Sequence, residues 1–228
     1  MTFDGFYDIV SAGFPRLTQS QVERFKRMEG LYQEWNARIN VISRKDIDGF
    51  YEHHVLHSLA IASYWLREGI MTDSAQASVL DVGTGGGFPG IPLAVMFPSV
   101  RFTLCDSIGK KTLVAREVAA ALDLQNVTVV NARAESLPDT YDHVVSRAVT
   151  TLVNFYPWVK DKFRGSIFYL KGGDINAEIS ELMGRYRLKK GSVRTWRVDN
   201  WLQEEYFQEK FVIQIEKDYL CSPIVENI

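Results

Sequence analysis

The chain has 228 residues, 46% of them hydrophobic, and a formal net charge of −2. That length and apolar content suit one α/β domain with an appendage, and the near-neutral balance excludes a protein coated in basic residues, leaving a local patch as the way to meet phosphates. No apolar run approaches the roughly 20 residues of a membrane span, the opening MTFDGFYDIV carries acids where a secretory leader carries positive charge, and Cys105 and Cys221 fit neither a disulfide framework nor a zinc site, so a cytoplasmic protein without structural metal is expected.

In chain order, Val22, Phe25, Met28, Leu31, Tyr32, Trp35 and Ile39 recur three or four apart and predict an amphipathic helix from Gln19 to Ile39, capped by Thr18 or Ser20. A second helix is predicted from Asp46 to Leu66, followed by Gly69 and a small-residue linker from Thr72 to Ala77. It carries His53, His54 and His57, which could share a metal by helical spacing. A zinc-protease pattern would need Glu directly after the first His, whereas Glu52 precedes His53, so no metal is expected.

The centre of the chain is Val79-Leu80-Asp81-Val82-Gly83-Thr84-Gly85-Gly86-Gly87-Phe88-Pro89-Gly90-Ile91-Pro92. It reads as a strand, a turn and a helix start, with glycines where a ligand approaches the backbone, Gly83 and Gly85 among them. Gly85 to Gly90 also fits the G-x-G-x-x-G of dinucleotide oxidoreductases. In that pattern, however, the first glycine follows the strand almost directly, and here Asp81, Gly83 and Thr84 intervene.

Beyond it, Ile91 to Phe97 predicts a short helix, and Val100 to Leu104 a strand ending at Asp106. An acid at the tip of the second strand can accept from a ribose hydroxyl pair or cap the next helix, Ile108 to Leu122. Val127 to Val130 is the third strand, followed by Ala134 and Glu135, which could border an adenine; Glu135 could equally be an ordinary exposed carboxylate. Tyr141 to Ser146 is the fourth, with Arg147-Ala148 at its tip. Leu152 to Phe163 predicts a helix, Ile167 to Leu170 a strand ending in Lys171-Gly172-Gly173, and Asp174 the cap of a helix through Met183. Arg185 to Val198 holds six basic residues and no acid, a strand with a turn at Lys190-Gly191 whose charge suits phosphate contacts or a solvated face. Phe211 to Ile215 is the last of seven strands.

Asp81-x-Gly83-x-Gly85-x-Gly87 resembles the first motif of class I S-adenosylmethionine-dependent methyltransferases. The fourth strand lacks the Asn/Asp-Pro-Pro-aromatic run of amino-directed enzymes, and Cys105 lies on a different strand from the nucleophile of cytosine C5 enzymes. Together with Trp35-Asn36, Asn40, His54-x-x-x-Ser58, Asp106-Ser107, Ala134-Glu135, Ser146-Arg147-Ala148 and Leu170-Lys171-Gly172, the glycine stretch resembles the RsmG family, also called glucose-inhibited division protein B, over roughly residues 30 to 215.

That resemblance implies a Rossmann-like, seven-stranded, mostly parallel sheet with an antiparallel last strand, residues 1–77 forming a helical extension and 78–228 the methyltransferase domain. It implies S-adenosylmethionine as donor and N7 of a guanine in 16S ribosomal RNA of the small ribosomal subunit as acceptor; a monomer is expected. It places Gly83, Phe88, Ala134, Glu135 and Arg147 at the cofactor site, with Arg147 positioning either the cofactor carboxylate or the guanine edge, unless it is a structural ion-pair partner. His54, His57 and Lys171 are weaker substrate candidates. An NAD-type oxidoreductase and a non-catalytic ribosome-assembly module are the competing readings.

Overall fold

In the computed structural model, residues 1–43, 46–72 and 74–217 are described. Seven strands form one sheet in the order β3-β2-β1-β4-β5-β7-β6. These are β1 (Ser78–Val82), β2 (Arg101–Asp106), β3 (Val127–Asn131), β4 (Tyr141–Arg147), β5 (Phe163–Gly172), β6 (Val193–Arg197) and β7 (Lys210–Glu216). The first five run parallel, and β7 inserts antiparallel between β5 and β6. The chain order therefore reverses at β1, between β2 and β4, which opens a crevice at the carboxyl ends of those strands.

Alternation along the strands sorts two apolar layers. Val79, Phe102, Leu104, Val145, Phe168 and Val212 face one side, where α1 (Phe3–Gly13), α2 (Gln19–Arg38), α3 (His57–Arg67), α4 (Gly90–Met96) and α5 (Gly109–Ala121) pack. Leu80, Val82, Val144, Ile167, Tyr169 and Ile213 face the other, covered by α6 (Leu152–Val159) and α7 (Asn176–Tyr186). The amino-terminal helices thus share a core with the sheet. Arg24 Nε donates to Leu122 O at 3.0 Å and Gln21 Nε2 to Met96 O at 2.9 Å, so α2 is also stitched to the ends of α5 and α4.

Several elements differ from the sequence expectations. No element was expected before Gln19, yet Phe6 and Val10, one helical turn apart, bury a face of α1 against Phe25 and Tyr51. Thr18 caps α2, in a reciprocal box with Gln21. The helix expected from Asp46 to Leu66 is instead a 3-10 turn (Ile47–Gly49), a π-helical stretch (Phe50–Leu56) and α3. Widening the turn lets Phe50, Tyr51, His54 and Val55 all point inward, a local arrangement often found at functional sites. Only a 3-10 turn, Ala134–Ser136, joins β3 to β4.

Residues 185–188 are not strand. α7 continues to Tyr186 because Leu182 is fully buried and Tyr186 and Leu188 pack on the same apolar layer, and Arg187 ends it in the left-handed region. Asp174 Oδ1 accepts from Asn176 N at 2.9 Å just ahead of that helix.

Candidate active site at the strand ends

The apolar run of β1 buries Asp81 completely. Its Oδ2 accepts from Thr84 Oγ1 at 2.6 Å and from Gly90 N at 2.8 Å, so the acid ties both ends of the glycine loop together. A Cβ at Gly90 would stand 2.6 Å from that oxygen, which is why only glycine fits there. Burial pushes the carboxyl up to about 7 against these two hydrogen bonds, and Asp81 Oδ1 has no hydrogen-bond partner among the described residues.

Gly83 sits at φ +70°, and a Cβ there would overlap Val149 Cγ2. The loop is held to β2 by Gly83 N and Thr84 N, which donate to Cys105 O at 2.8 and 3.1 Å. Asp106, at the tip of β2, accepts from Gly85 N through Oδ2 at 2.9 Å and from Ile108 N through Oδ1 at 2.8 Å. The carboxylate thus clamps the loop and braces the turn leading into α5 at once, and each oxygen retains a second lone pair.

Around these groups lies a cavity of about 400 Å³. Gly83, Asp106, Ala134, Glu135 and Arg147 line it, from the ends of four adjacent strands. Gly85 and Phe88 stand behind this lining: Gly85 acts through Asp106, and Phe88 is buried 5.2 Å from the Arg147 guanidinium. Cys105 also lines the cavity, but its Sγ donates to Ala132 O and burial pushes the thiol up to about 11, so no thiolate nucleophile is available near neutral pH.

Arg147 reaches away from this cavity toward the π-helical stretch. Its Nη1 donates to His53 O at 2.9 Å and its Nη2 to His54 Nδ1 at 2.9 Å. A guanidinium has only donors, so His54 Nδ1 must be the acceptor and Nε2 carries the hydrogen, which it donates to Asp46 Oδ2 at 2.9 Å. The ring is therefore neutral. Burial, and then the Arg147 charge, push His54 down to about 4. His53 Nδ1 bonds the other oxygen of Asp46. Burial alone would raise the Asp46 carboxyl, but the hydrogen bonds from His53 and His54 hold it below the usual carboxylate range.

A second cavity of about 300 Å³ opens on this side, lined by Asp46, His53, His54, Tyr206 and Lys210 and sharing Arg147 and Ala148 with the first. Ala148 holds φ +50°, rare for a residue with a side chain. The following turn is pinned by Tyr169, whose hydroxyl accepts from Val149 N at 2.9 Å and Thr150 N at 3.0 Å. The wall between the cavities is thus fixed from both flanks.

Of the weaker candidates, His57 is buried beside Tyr206, with Nδ1 3.4 Å from its hydroxyl, and desolvation holds it neutral. Lys171 also lines the second cavity, but its Nζ lies 2.7 and 2.8 Å from the two oxygens of Glu178. The three histidines do not converge: His53 and His54 meet on Asp46, His57 turns to Tyr206, and no group of three potential metal ligands occurs among the described residues. The basic run is dispersed. Arg194 pairs with Glu216 at 3.2 Å and Arg197 with Asp199. Lys189 and Lys190 precede Val193, which pairs with Ile215 opposite Ile167, at the end of the sheet away from both cavities.

Sequence reasoning did not single out Asp46, Tyr206 or Lys210. Asp46 reads as a helix start, and only the seven- and eight-residue spacing to His53 and His54 hints at contact. Tyr206 lies in a segment without periodicity, yet its ring stacks on His53 at 3.9 Å and 19°.

Comparison with known proteins places this geometry. The family model GidB, rRNA small subunit methyltransferase G, matches residues 21–200. The ribosomal RNA small subunit methyltransferase G of Flavobacterium psychrophilum is 45% identical over 210 residues, covering 89% of this chain and 94% of that protein. Its counterpart in Bacteroides fragilis is 46% identical, covering 89% and 96%. Among solved structures, the magnesium protoporphyrin IX methyltransferase of Synechocystis PCC 6803 with bound SAM matches with TM-score 0.59 at 14% identity, covering 89% of this chain and 98% of that one. A SAM-dependent methyltransferase from Aquifex aeolicus matches with TM-score 0.53 at 17% identity, covering 71% and 92%. The fold is that of the class I methyltransferases, and the chain belongs to the rRNA small subunit methyltransferase G family.

Proposed function

We propose that this protein transfers a methyl group from S-adenosylmethionine to N7 of a guanine in 16S ribosomal RNA of the small ribosomal subunit, as a cytoplasmic monomer that uses no metal. The observation that carries the reading is adjacency: a cavity at the switch point of the sheet and a second, aromatic-walled cavity meet at the Arg147–Ala148 turn. The relatives' names supply small-subunit rRNA as acceptor, and the guanine follows from the motif resemblance. The 78–228 part carries the first cavity, and the 1–77 extension lends Asp46, His53 and His54 to the second.

The residues fit the proposed cofactor. Gly83 lines the cavity at φ +70° with Val149 packed against it, so a side chain there would strain the backbone and displace that wall. The second lone pairs of Asp106, which lines the cavity, suit a ribose diol. Gly83, Asp106, Ala134, Glu135 and Arg147 would hold the cofactor, with Gly85 acting through Asp106 and Phe88 supporting Arg147 from behind. When bound, S-adenosylmethionine supplies an activated methyl group on a sulfonium.

Guanine N7 presents an in-plane lone pair and no proton, so the protein needs no general base; its task is alignment. Arg147, held by His53 O, by His54 Nδ1 and over the Phe88 ring, is fixed in one orientation. The acceptor ring gains positive charge as the bond forms, and acceptors already in place around the second cavity stabilise that charge without reorganising.

Incubating small subunits from cells lacking the protein with labelled S-adenosylmethionine, then mapping the modified nucleoside by mass spectrometry, tests the reading. Label in N7-methylguanosine of the small-subunit RNA is expected. Unlabelled RNA contradicts catalysis, and label on another atom contradicts the acceptor assignment.

A further inference from the structure

We propose that the cavity between the π-helical stretch and the Arg147–Ala148 turn is a purine-base pocket, in which the Asp46 carboxylate reads guanine by accepting from its N1–H and N2–H donors. This deepens the reading above, on which it rests for the reaction but not for the choice of base.

An ionised carboxylate offers about four lone-pair sites. In Asp46 one site on each oxygen is taken, by His53 Nδ1 and His54 Nε2, and its side chain remains 37% exposed at the cavity. Two imidazoles hold it still, so its ordering cost is met before any ligand arrives. Because it can only accept, its partner must present two adjacent donors. Guanine does so on its Watson–Crick edge. Adenine and cytosine place a ring acceptor beside their amino group, and uracil flanks its single donor with two carbonyls.

The walls suit a base more than a phosphate. Tyr206 stacks on His53, with Lys210 Nζ 5.0 Å from the Tyr206 ring centroid, a surface of the kind on which extruded bases stack. Of the cations lining the cavity, Arg147 is directed at His54 and His53 O, and Lys171 at Glu178. Asp46 and Arg147 both line the cavity and are linked through the His54 ring, and N7 lies across the purine from the N1–N2 edge. A guanine read by Asp46 can therefore turn N7 toward the wall shared with the first cavity.

The arrangement also favours the transition state. Positive charge developing at N7 makes N1–H more acidic, so its hydrogen bond to Asp46 strengthens as the methyl group arrives.

The probes are guanosine, inosine and adenosine 5′-monophosphates, titrated by NMR into the protein saturated with S-adenosylhomocysteine. Inosine lacks only the N2 amino group. Guanosine monophosphate should bind about ten-fold or more tightly than inosine monophosphate, the worth of one charge-assisted hydrogen bond, with adenosine monophosphate weaker still. D46N should abolish that preference while leaving affinity for S-adenosylhomocysteine unchanged, and should lower kcat on small-subunit RNA about 10- to 100-fold without raising KM for S-adenosylmethionine. Equal binding of the three nucleotides, no binding of any, a preference surviving in D46N, or displacement by inorganic phosphate alone overturns the pocket. The wild-type titration stands even if D46N fails to fold. A wild-type protein that methylates N7 but shows no nucleotide preference defeats this inference only, whereas one that labels no RNA defeats the reading it rests on.

Discussion

The two cavities share a wall but are built in opposite ways. The first is made by short contiguous segments at successive strand ends: Val82-Gly83, Asp106, Ala134-Glu135 and Arg147. The second gathers Asp46, His53, His54, Lys171, Tyr206 and Lys210 from segments far apart in the chain. A cofactor common to many enzymes can be held by a motif that travels as a unit with its fold, whereas the cavity proposed for the acceptor is assembled by tertiary packing of an added helical layer.

Variants in each region separate the two roles. The largest effect is expected from Gly83→Asp, which forces a side chain into φ +70° and onto Val149; calorimetry should show at least a 100-fold loss of S-adenosylmethionine affinity, and unchanged affinity would remove the loop from the site. Arg147→Lys keeps the charge but loses the planar fork that grips His53 O and His54 Nδ1. Methyl incorporation should fall about 100-fold in kcat, the scale of a misaligned acceptor, while cofactor affinity changes only a few-fold. Equal losses in both would merge the cavities into one function.

A pH series sets one buried group of each region against the other. His54 titrates near 4 when folded and at about 6.5 when unfolded, so the unfolded chain binds its proton first. Its contribution is full above about 6.5 and is lost as pH falls toward 4, amounting to about 2 kcal/mol between pH 7 and 5. Asp81 acts in the other direction: raised to about 7, its contribution is full below about 3.8 and is lost as pH rises through 7. Urea denaturation should therefore show a shallower acid loss in His54→Gln and a steeper one in Asp81→Asn. Lys171→Met, which leaves Glu178 without its cation, should cost about 1 kcal/mol in the same assay with cofactor affinity intact. Lys190→Ala, at the far end of the sheet, should leave RNA methylation within about two-fold; a larger drop would bring that end of the molecule into RNA contact.

What the sequence disclosed follows the same division. Asp81 with its glycines, and Asp106 some twenty residues later, are local signals fixed by one strand–turn–helix geometry, and the structure places Gly83, Asp106, Ala134 and Glu135 around one cavity. Arg147 lies where the fourth strand ends, but its direction, toward His54, depends on a segment 93 residues away. Periodicity marked residues 46–66 as helical without revealing the π-helical stretch, because an inward face looks apolar whether the turn is tight or wide. Helix α1 escaped because a run as short as Phe3–Gly13 gains its stability from the core it covers. Tyr206 and Lys210 carry no local pattern at all.

The most direct test is a crystal structure of the protein with S-adenosylhomocysteine bound. The ligand should lie against Gly83 with its ribose on Asp106 and its adenine beside Ala134 and Glu135, leaving the cavity of Asp46, His53 and Tyr206 open. Ligand seated in that second cavity, or away from the ends of β1 and β2, would contradict the division of the site into donor and acceptor sides.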